Sequence, residues 1–280
     1  MKKAIILVLA TLLCAVSLCS CEMSEITGGS LSISYKIEDG KAVVTKVPDN
    51  STLPEIVIPD EYEGYPVTAI ADFAAVNLEN VTKITIGRNV DDISLWALEN
   101  NKKVTAFEVD DENQYFCDVD GVLYTKDMKT LLFYPLARGM EEMTTAEGET
   151  VNGISYTVPE GVETIRTKAF YKCTELREII LPSSLVSIEE KAFFRCSINE
   201  ITLPEKLQTI GKDAFSYCTG LKEISVPSTI MTIGDYAFYN CTALLDIDIQ
   251  TNESSVDLGE KWYPTNNGLE IKELTISWAE

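Results

Sequence analysis

The chain has 280 residues, enough to bury a large core, with 44 acidic against 23 basic side chains and a formal net charge of −21. A surplus of that sign repels nucleic acid and anionic lipid headgroups, and favours basic proteins, basic patches on glycoproteins or divalent cations as partners. There is no histidine, which excludes Ser–His and Cys–His hydrolysis and any imidazole-bound metal.

Lys2-Lys3 followed by the apolar run Ala4 to Leu18 has the form of a signal peptide over residues 1–20. That run is too short for a comfortable membrane span. Leu18-Cys19-Ser20-Cys21 resembles a bacterial lipobox, with a small residue before Cys21, which makes Cys21 the expected lipidation site. An ordinary cleaved secretory leader is the alternative. Residues 21–30 then hold the lipidated Cys and a polar, Gly-containing tether.

Residues 31–52 alternate apolar and polar around Asp39-Gly40, which predicts a β-hairpin capping one end of the molecule. Residues 53–110 contain two irregular repeats. Pro66 to Phe73 places Asp72 where a conserved-type Ala is expected, with Ile84 and Ile86 as its strand, and Val90 to Val109 offers Trp96-Ala97. Residues 111–150 break the period. They predict a hairpin turning at Lys126-Asp127, then a polar surface loop over 137–150. Residues 151–250 are the regular repeats, and residues 251–280, with Trp262 and the alternation Ile271, Leu274, Ile276, Trp278, are expected to close the other end.

In the regular part, Ala169-Phe170, Ala192-Phe193, Ala214-Phe215 and Ala237-Phe238 are each followed by a Cys three residues on: Cys173, Cys196, Cys218 and Cys241. Successive Phe residues stand 23, 22 and 23 positions apart. A period in the twenties is the signature of a solenoid, in which each repeat is one coil stacked on the next. After each Cys comes an alternation that reads as a strand, with Ile179 and Leu181 on one face and Glu178 and Ile180 on the other. Pro182, Pro204 and Pro227 close these strands, because proline cannot donate to a ladder. The Ala-Phe block has room for a single helical or 3₁₀ turn. The expected class is therefore an α+β repeat solenoid with ~22–23-residue coils, short strands and single helical turns, capped by β-hairpins.

This pattern resembles the BspA-type leucine-rich repeat family. Ile210-Gly211, Ile233-Gly234, the Ala-Phe pairs, the cysteines and the closing prolines carry the match, most closely over residues 158–250. The resemblance implies adhesion or host-surface interaction, and it implies that hairpins such as the one at 107–136 interrupt coils. It covers the scaffold only, since no ligand-specific motif matches.

The conspicuous letters of the repeat are read as interior. The Phe row is core, and the Cys row is expected as buried free thiols stacked about 5 Å apart, since in-register side chains point the same way and do not converge on a metal or on one another. Asp118-Val119-Asp120-Gly121 lacks the ligand spacing of an EF-hand and reads as a turn. Tyr171, Phe194 and Tyr239 lie near the corners, where packing between coils accounts for them better than a sugar-contacting stripe.

The functional candidates are the outward strand positions: Glu178, Glu200, Glu223 and Asp246 in one row, and Ile180, Thr202, Ser225 and Asp248 in the next. Carboxylates about 5 Å apart in water repel by only about 0.8 kcal/mol per pair, so the row needs no metal to exist. Its readings are a solvated strand face or a face for a basic partner. No catalytic residue, cofactor motif or metal site is identified. The expectation is an envelope-anchored extracytoplasmic lipoprotein that binds another protein, held to the membrane through its lipid alone; a carbohydrate or cell-wall polymer module is the alternative.

Overall fold

The computed structural model describes residues 33–48, 52–139, 141–144, 150–267, 269–271 and 273–279. The leader, Cys21 and the tether lie outside them. Among the described residues no helix is long and apolar enough to cross a membrane.

The chain winds into coils, and a typical one in the C-terminal half has a two-residue strand, a corner and a longer strand. The short strands Thr164–Ile165, Ser187–Ile188, Thr209–Ile210, Thr232–Ile233 and Asp257–Leu258 stack in parallel, with Ile165, Ile188, Ile210, Ile233 and Leu258 in register. The longer strands Leu176–Ile180, Glu223–Val226, Asp246–Ile249 and Thr275–Trp278 form the second wall. Between the walls the Phe rings pile up: Phe170, Phe193, Phe215 and Phe238 are fully buried, with centroids 5.0, 5.2 and 5.5 Å apart.

The corners are not helical, so the α+β expectation is corrected to a β-solenoid. Among the described residues the named helical element is one 3₁₀ turn, Glu253–Ser255. In the first regular coil the amides of Ala169, Tyr171 and Cys173 close tight turns onto the carbonyls of Arg166, Lys168 and Phe170. The alternate amides of Lys168, Phe170 and Lys172 donate to Glu190, Ala192 and Phe194 of the next coil, at 3.0, 2.9 and 2.8 Å. An α-helix spends its amides within itself. Here every second amide is spent on stacking instead, and a left-handed residue on either side of the Phe makes the turn possible: Lys168 (φ 64°) and Lys172 (φ 59°), and likewise Asp213 (φ 54°) and Tyr217 (φ 64°).

The same bonding pattern realigns the irregular coils. Ala75 donates to Ala97 as Phe170 donates to Ala192, so Ala74-Ala75 occupies the Ala-Phe place and Asp72 does not. In the next coil Ala97-Leu98 is buried there, while Trp96 stands 37% exposed. The strand Lys83–Ile86 forms with Ile84 and Ile86 inward.

The hairpin between the two sets of coils is built into the solenoid. Its strands Phe116–Val119, Val122–Thr125 and Thr130–Phe133 continue the short-strand sheet, and Thr130–Phe133 pairs in parallel with Thr164–Ile165. Its side chains divide the interior. Val122, Tyr124, Leu131 and Tyr134 face the C-terminal core, whereas Phe116, Leu123, Leu132 and Phe133 face a separate N-terminal core. Alternation along Val122–Thr125, with an irregular register against Thr130–Phe133, thus turns one hairpin into a wall with an apolar surface on both sides. Part of the expected 137–150 loop is a strand, Glu141–Thr144, antiparallel to Thr150–Thr157.

Both ends carry rungs of their own. Ser34–Glu38 and Lys41–Lys46 form the first hairpin around Asp39 (φ 48°) and Gly40 (φ 74°), and Lys41–Lys46 continues in parallel onto Tyr65–Ile70. At the other end Trp262 is buried and meets Trp278 edge-on at 6.1 Å.

Candidate binding face

The eight outward positions named from the sequence are all exposed and lie on one face of the second wall. Pairing brings them together in rows: Glu178 bridges to Glu200, Glu223 stands opposite Asp246, and Ser225 opposite Asp248. The rows run further than the sequence motif does. Ser155 precedes Glu178 and Thr157 precedes Ile180, while Thr275 and Ser277 follow Asp246 and Asp248. Hydroxyls at the margins serve the acids: Ser155 Oγ donates to Glu178 at 3.0 Å and Ser277 Oγ to Asp248 at 2.9 Å.

The face is interrupted at one coil. Between Cys196 and Ile198 this coil has one residue fewer than its neighbours have between Cys and Leu, which is the origin of the 22-residue spacing. Its outward segment, Glu200 to Leu203, forms no ladder with Glu223–Val226 among the described residues. A depression of about 400 Å³ opens there, walled by Glu200, Glu205, Glu223, Asp246 and Asp248 and floored by Ile201, Leu203, Ile224 and Pro227. Gly220 of the next coil packs against this corner, where a Cβ would lie 3.2 Å from the Ile198 carbonyl and would push the Asn199 side chain aside.

The cysteines are where the repeat pattern puts them, and Cys173, Cys196, Cys218 and Cys241 are buried free thiols. They do more than fill space. The thiols of Cys196, Cys218 and Cys241 donate to the carbonyls of Phe170, Phe193 and Phe215 in the preceding coil, at 3.1, 3.1 and 3.0 Å. Each of those carbonyls already accepts the amide of the Cys in its own coil, so the thiol satisfies its second lone pair. The letter itself carried that signal, because alanine or valine would pack there without a donor. Burial pushes the Cys173 and Cys218 thiols up to about 12.

Other sequence candidates resolve simply. Asp118 caps the Val109 amide at 2.9 Å, and Asp120-Gly121 turns the hairpin with φ 51° and 78°. Tyr171 stacks on Phe194 at 5.2 Å, Phe194 meets Tyr217 at 5.4 Å, and Tyr217 meets Tyr239 at 5.9 Å. These half-buried rings spend their faces and edges on one another.

Two basic residues unmarked by any motif join the halves. Arg166 Nη2 donates to the Ile93 carbonyl at 2.9 Å, and its guanidinium lies over Phe133 at 5.5 Å. The buried Lys168 ammonium sits 3.8 Å from Glu99 and over the Trp96 ring, and burial pulls its pKa down to about 8.

The repeat model of the BspA type leucine-rich repeat region matches six copies across residues 47–118 and 149–263. Among solved structures, the fold is similar to a leucine-rich repeat protein from Eubacterium ventriosum, at 18% identity and a TM-score of 0.53 over 76% of this chain and 66% of that one. It is also similar to the pneumococcal vaccine antigen PcpA, at 22% identity and a TM-score of 0.58 over 80% of this chain and 62% of that one. The chain thus spans a little under two thirds of the length of each, and at these identities the likeness is one of fold. No curated protein matches the chain. The Ala-Phe corners, the inward aliphatics and the matched repeats over more than half of its residues place it in one group: the chain belongs to the BspA-type leucine-rich repeat family.

Proposed function

We propose that this chain is an extracytoplasmic leucine-rich repeat lipoprotein, anchored through Cys21, that binds a basic protein through the outer strand face of its C-terminal coils. The observation that carries the reading is the composition of that face. Glu178, Glu200, Glu223 and Asp246, with Ile180, Thr202, Ser225 and Asp248 beside them, form two exposed rows without a basic residue in them, and Arg177 and Lys222 flank the first row and relieve part of its repulsion. A surface of one sign steers a partner of the other and raises its association rate. The fold shared with a vaccine antigen is consistent with a surface role in adhesion or host contact. A carbohydrate module draws less support, because a sugar packs on the open face of a ring and the corner aromatics are turned onto each other.

The test is binding of the full chain to a basic probe protein such as hen lysozyme, with the Glu200→Lys/Glu223→Lys variant beside it. The variant is expected to bind about ten-fold more weakly, chiefly through a slower association that weakens with salt. Equal binding by both proteins removes this face from the interface. The anchor is tested separately: radiolabelled palmitate should enter the wild type and not the Cys21→Ala variant.

A further inference from the structure

The corner of each coil offers a second surface, on a different side of the molecule from the strand face. Two residues before the buried Phe, the backbone turns left-handed, and the C-terminal coils place Lys168, Lys191, Asp213 and Tyr236 there, with φ between 54° and 64°. In the N-terminal half the same position in the coil is taken by Phe73 (φ 59°) and, one coil on, by Trp96, whose backbone is not left-handed. Phe73 is 54% exposed, Trp96 37% and Leu95 37%, and the Phe73 and Trp96 rings meet at 5.5 Å.

Folding accounts for Trp96 in part, through the Lys168 ammonium over its ring, but not for Phe73 and Leu95. A left-handed backbone disfavours a bulky side chain. Tyr236 tolerates it while packing on Tyr239 at 5.6 Å. Phe73 leaves more than half of its surface in water, and the core beneath it is already filled by Ala74 and Ala75, both fully buried. Contiguous exposed Phe, Trp and Leu are the composition of an interaction hot spot.

The surroundings select the occupant. The Trp96 ring meets Phe73 at a tilt of 35° and also carries the Lys168 ammonium over it, so much of the indole is already in contact. Ring edges and the Leu95 side chain remain, which suit an aliphatic anchor and not a pyranose ring. Glu99 offsets the Lys168 ammonium on the patch, and the exposed Asp72 and Asp92 leave the surroundings net acidic. A second copy of a chain carrying a net charge of −21 is repelled. We propose that Phe73, Leu95 and Trp96 dock the apolar side chains of a basic protein segment. This surface does not depend on the acidic rows of the strand face.

The experiment is isothermal titration of the full chain with short synthetic peptides of alternating Leu and Lys, Ser and Lys, or Leu and Glu. The Leu–Lys peptide is expected to bind about ten-fold more tightly than either of the others. Phe73→Asn should remove that advantage and leave Ser–Lys binding unchanged, and Trp96→Ser should do the same. Asn is favoured at left-handed backbone, so Phe73→Asn keeps the fold. Glu200→Lys/Glu223→Lys should weaken both basic peptides alike and leave the Leu–Lys advantage in place, which separates this site from the strand face. Equal Leu–Lys affinity in wild type and Phe73→Asn overturns the assignment. So does Leu–Glu binding as tight as Leu–Lys, or self-association of the wild type that Phe73→Asn abolishes.

Discussion

The two halves of the solenoid build the same strand face with opposite electrostatics. In the N-terminal half two cations, Lys83 and Arg88, are each shared between acids of neighbouring coils. Lys83 reaches Glu55 at 3.1 Å and Glu108 at 3.2 Å, and Arg88 reaches Asp60 at 2.7 Å and Glu112 at 2.6 Å. In the C-terminal half the equivalent rows run Glu178, Glu200, Glu223, Asp246 and Ile180, Thr202, Ser225, Asp248. On one face cations stand within the rows and bridge acids, whereas on the other Arg177 and Lys222 only flank rows that are themselves acidic or neutral. The stacking bonds and inward aliphatics are alike on both sides, so the backbone does not decide which face can attract a partner. The outward letters decide it.

The comparison breaks most visibly in the cores. Phe193→Ala empties the middle of the Phe stack and should cost the C-terminal half about 3–5 kcal/mol in urea unfolding. Because the hairpin wall separates the cores, hydrogen exchange in the N-terminal strands should stay near wild type. Next comes the thiol ladder, which the N-terminal half lacks. Cys218→Ala removes the second bond to the Phe193 carbonyl, which keeps the Cys196 amide, and should cost about 0.5–1.5 kcal/mol. Cys218→Ser should recover part of it.

The ladder also sets an alkaline limit. The folded thiol pKa of Cys218, about 12, lies above its ordinary value of 9.0. The unfolded chain therefore releases protons first, and stability present below pH 9 is lost as pH rises toward 12. Lys168 acts in the opposite sense. Its folded pKa of about 8 lies below the ordinary 10.5, so the unfolded chain holds more protons between those values and stability gains with pH there. Between pH 8 and pH 9 the Lys168 gain opposes the loss from the four buried thiols, so melting temperatures should fall more steeply in Lys168→Met than in wild type.

The smallest effects separate the two faces by sign. Lys83→Glu replaces shared attraction with repulsion and should cost about 1 kcal/mol at low salt, less at high salt. Glu200→Lys relieves a like-charge row and should gain a few tenths of a kcal/mol, about the size of an exposed pair. If both substitutions destabilise equally, the faces do not differ in the way their charges indicate.

The regular coils were legible because Phe, Cys and inward aliphatics recur in register, and periodic burial leaves a periodic sequence. The exposed acid rows followed from the same register. The corners were misread as helical because their amides alternate between the turn and the next coil, a choice with no local signature. The early coils slipped by a few positions because Ala74-Ala75 and Ala97-Leu98 fill the Phe site without an aromatic ring. The 22-residue spacing was plain to see, but its consequence, a strand that joins no ladder with the next coil and opens a groove, depends on three dimensions. Arg166 against Ile93 is a contact across 73 positions, and nothing near either residue announces it.

The wall formed by the central hairpin has a consequence for how such a chain can change length. Val122 and Leu123 look into different interiors, so neither interior needs the other to be a given size. Coils can be gained or lost on one side of the hairpin without repacking the other. Duplication and deletion of coils, the commonest accidents of a repetitive gene, would therefore alter the reach of one surface while the second keeps its shape.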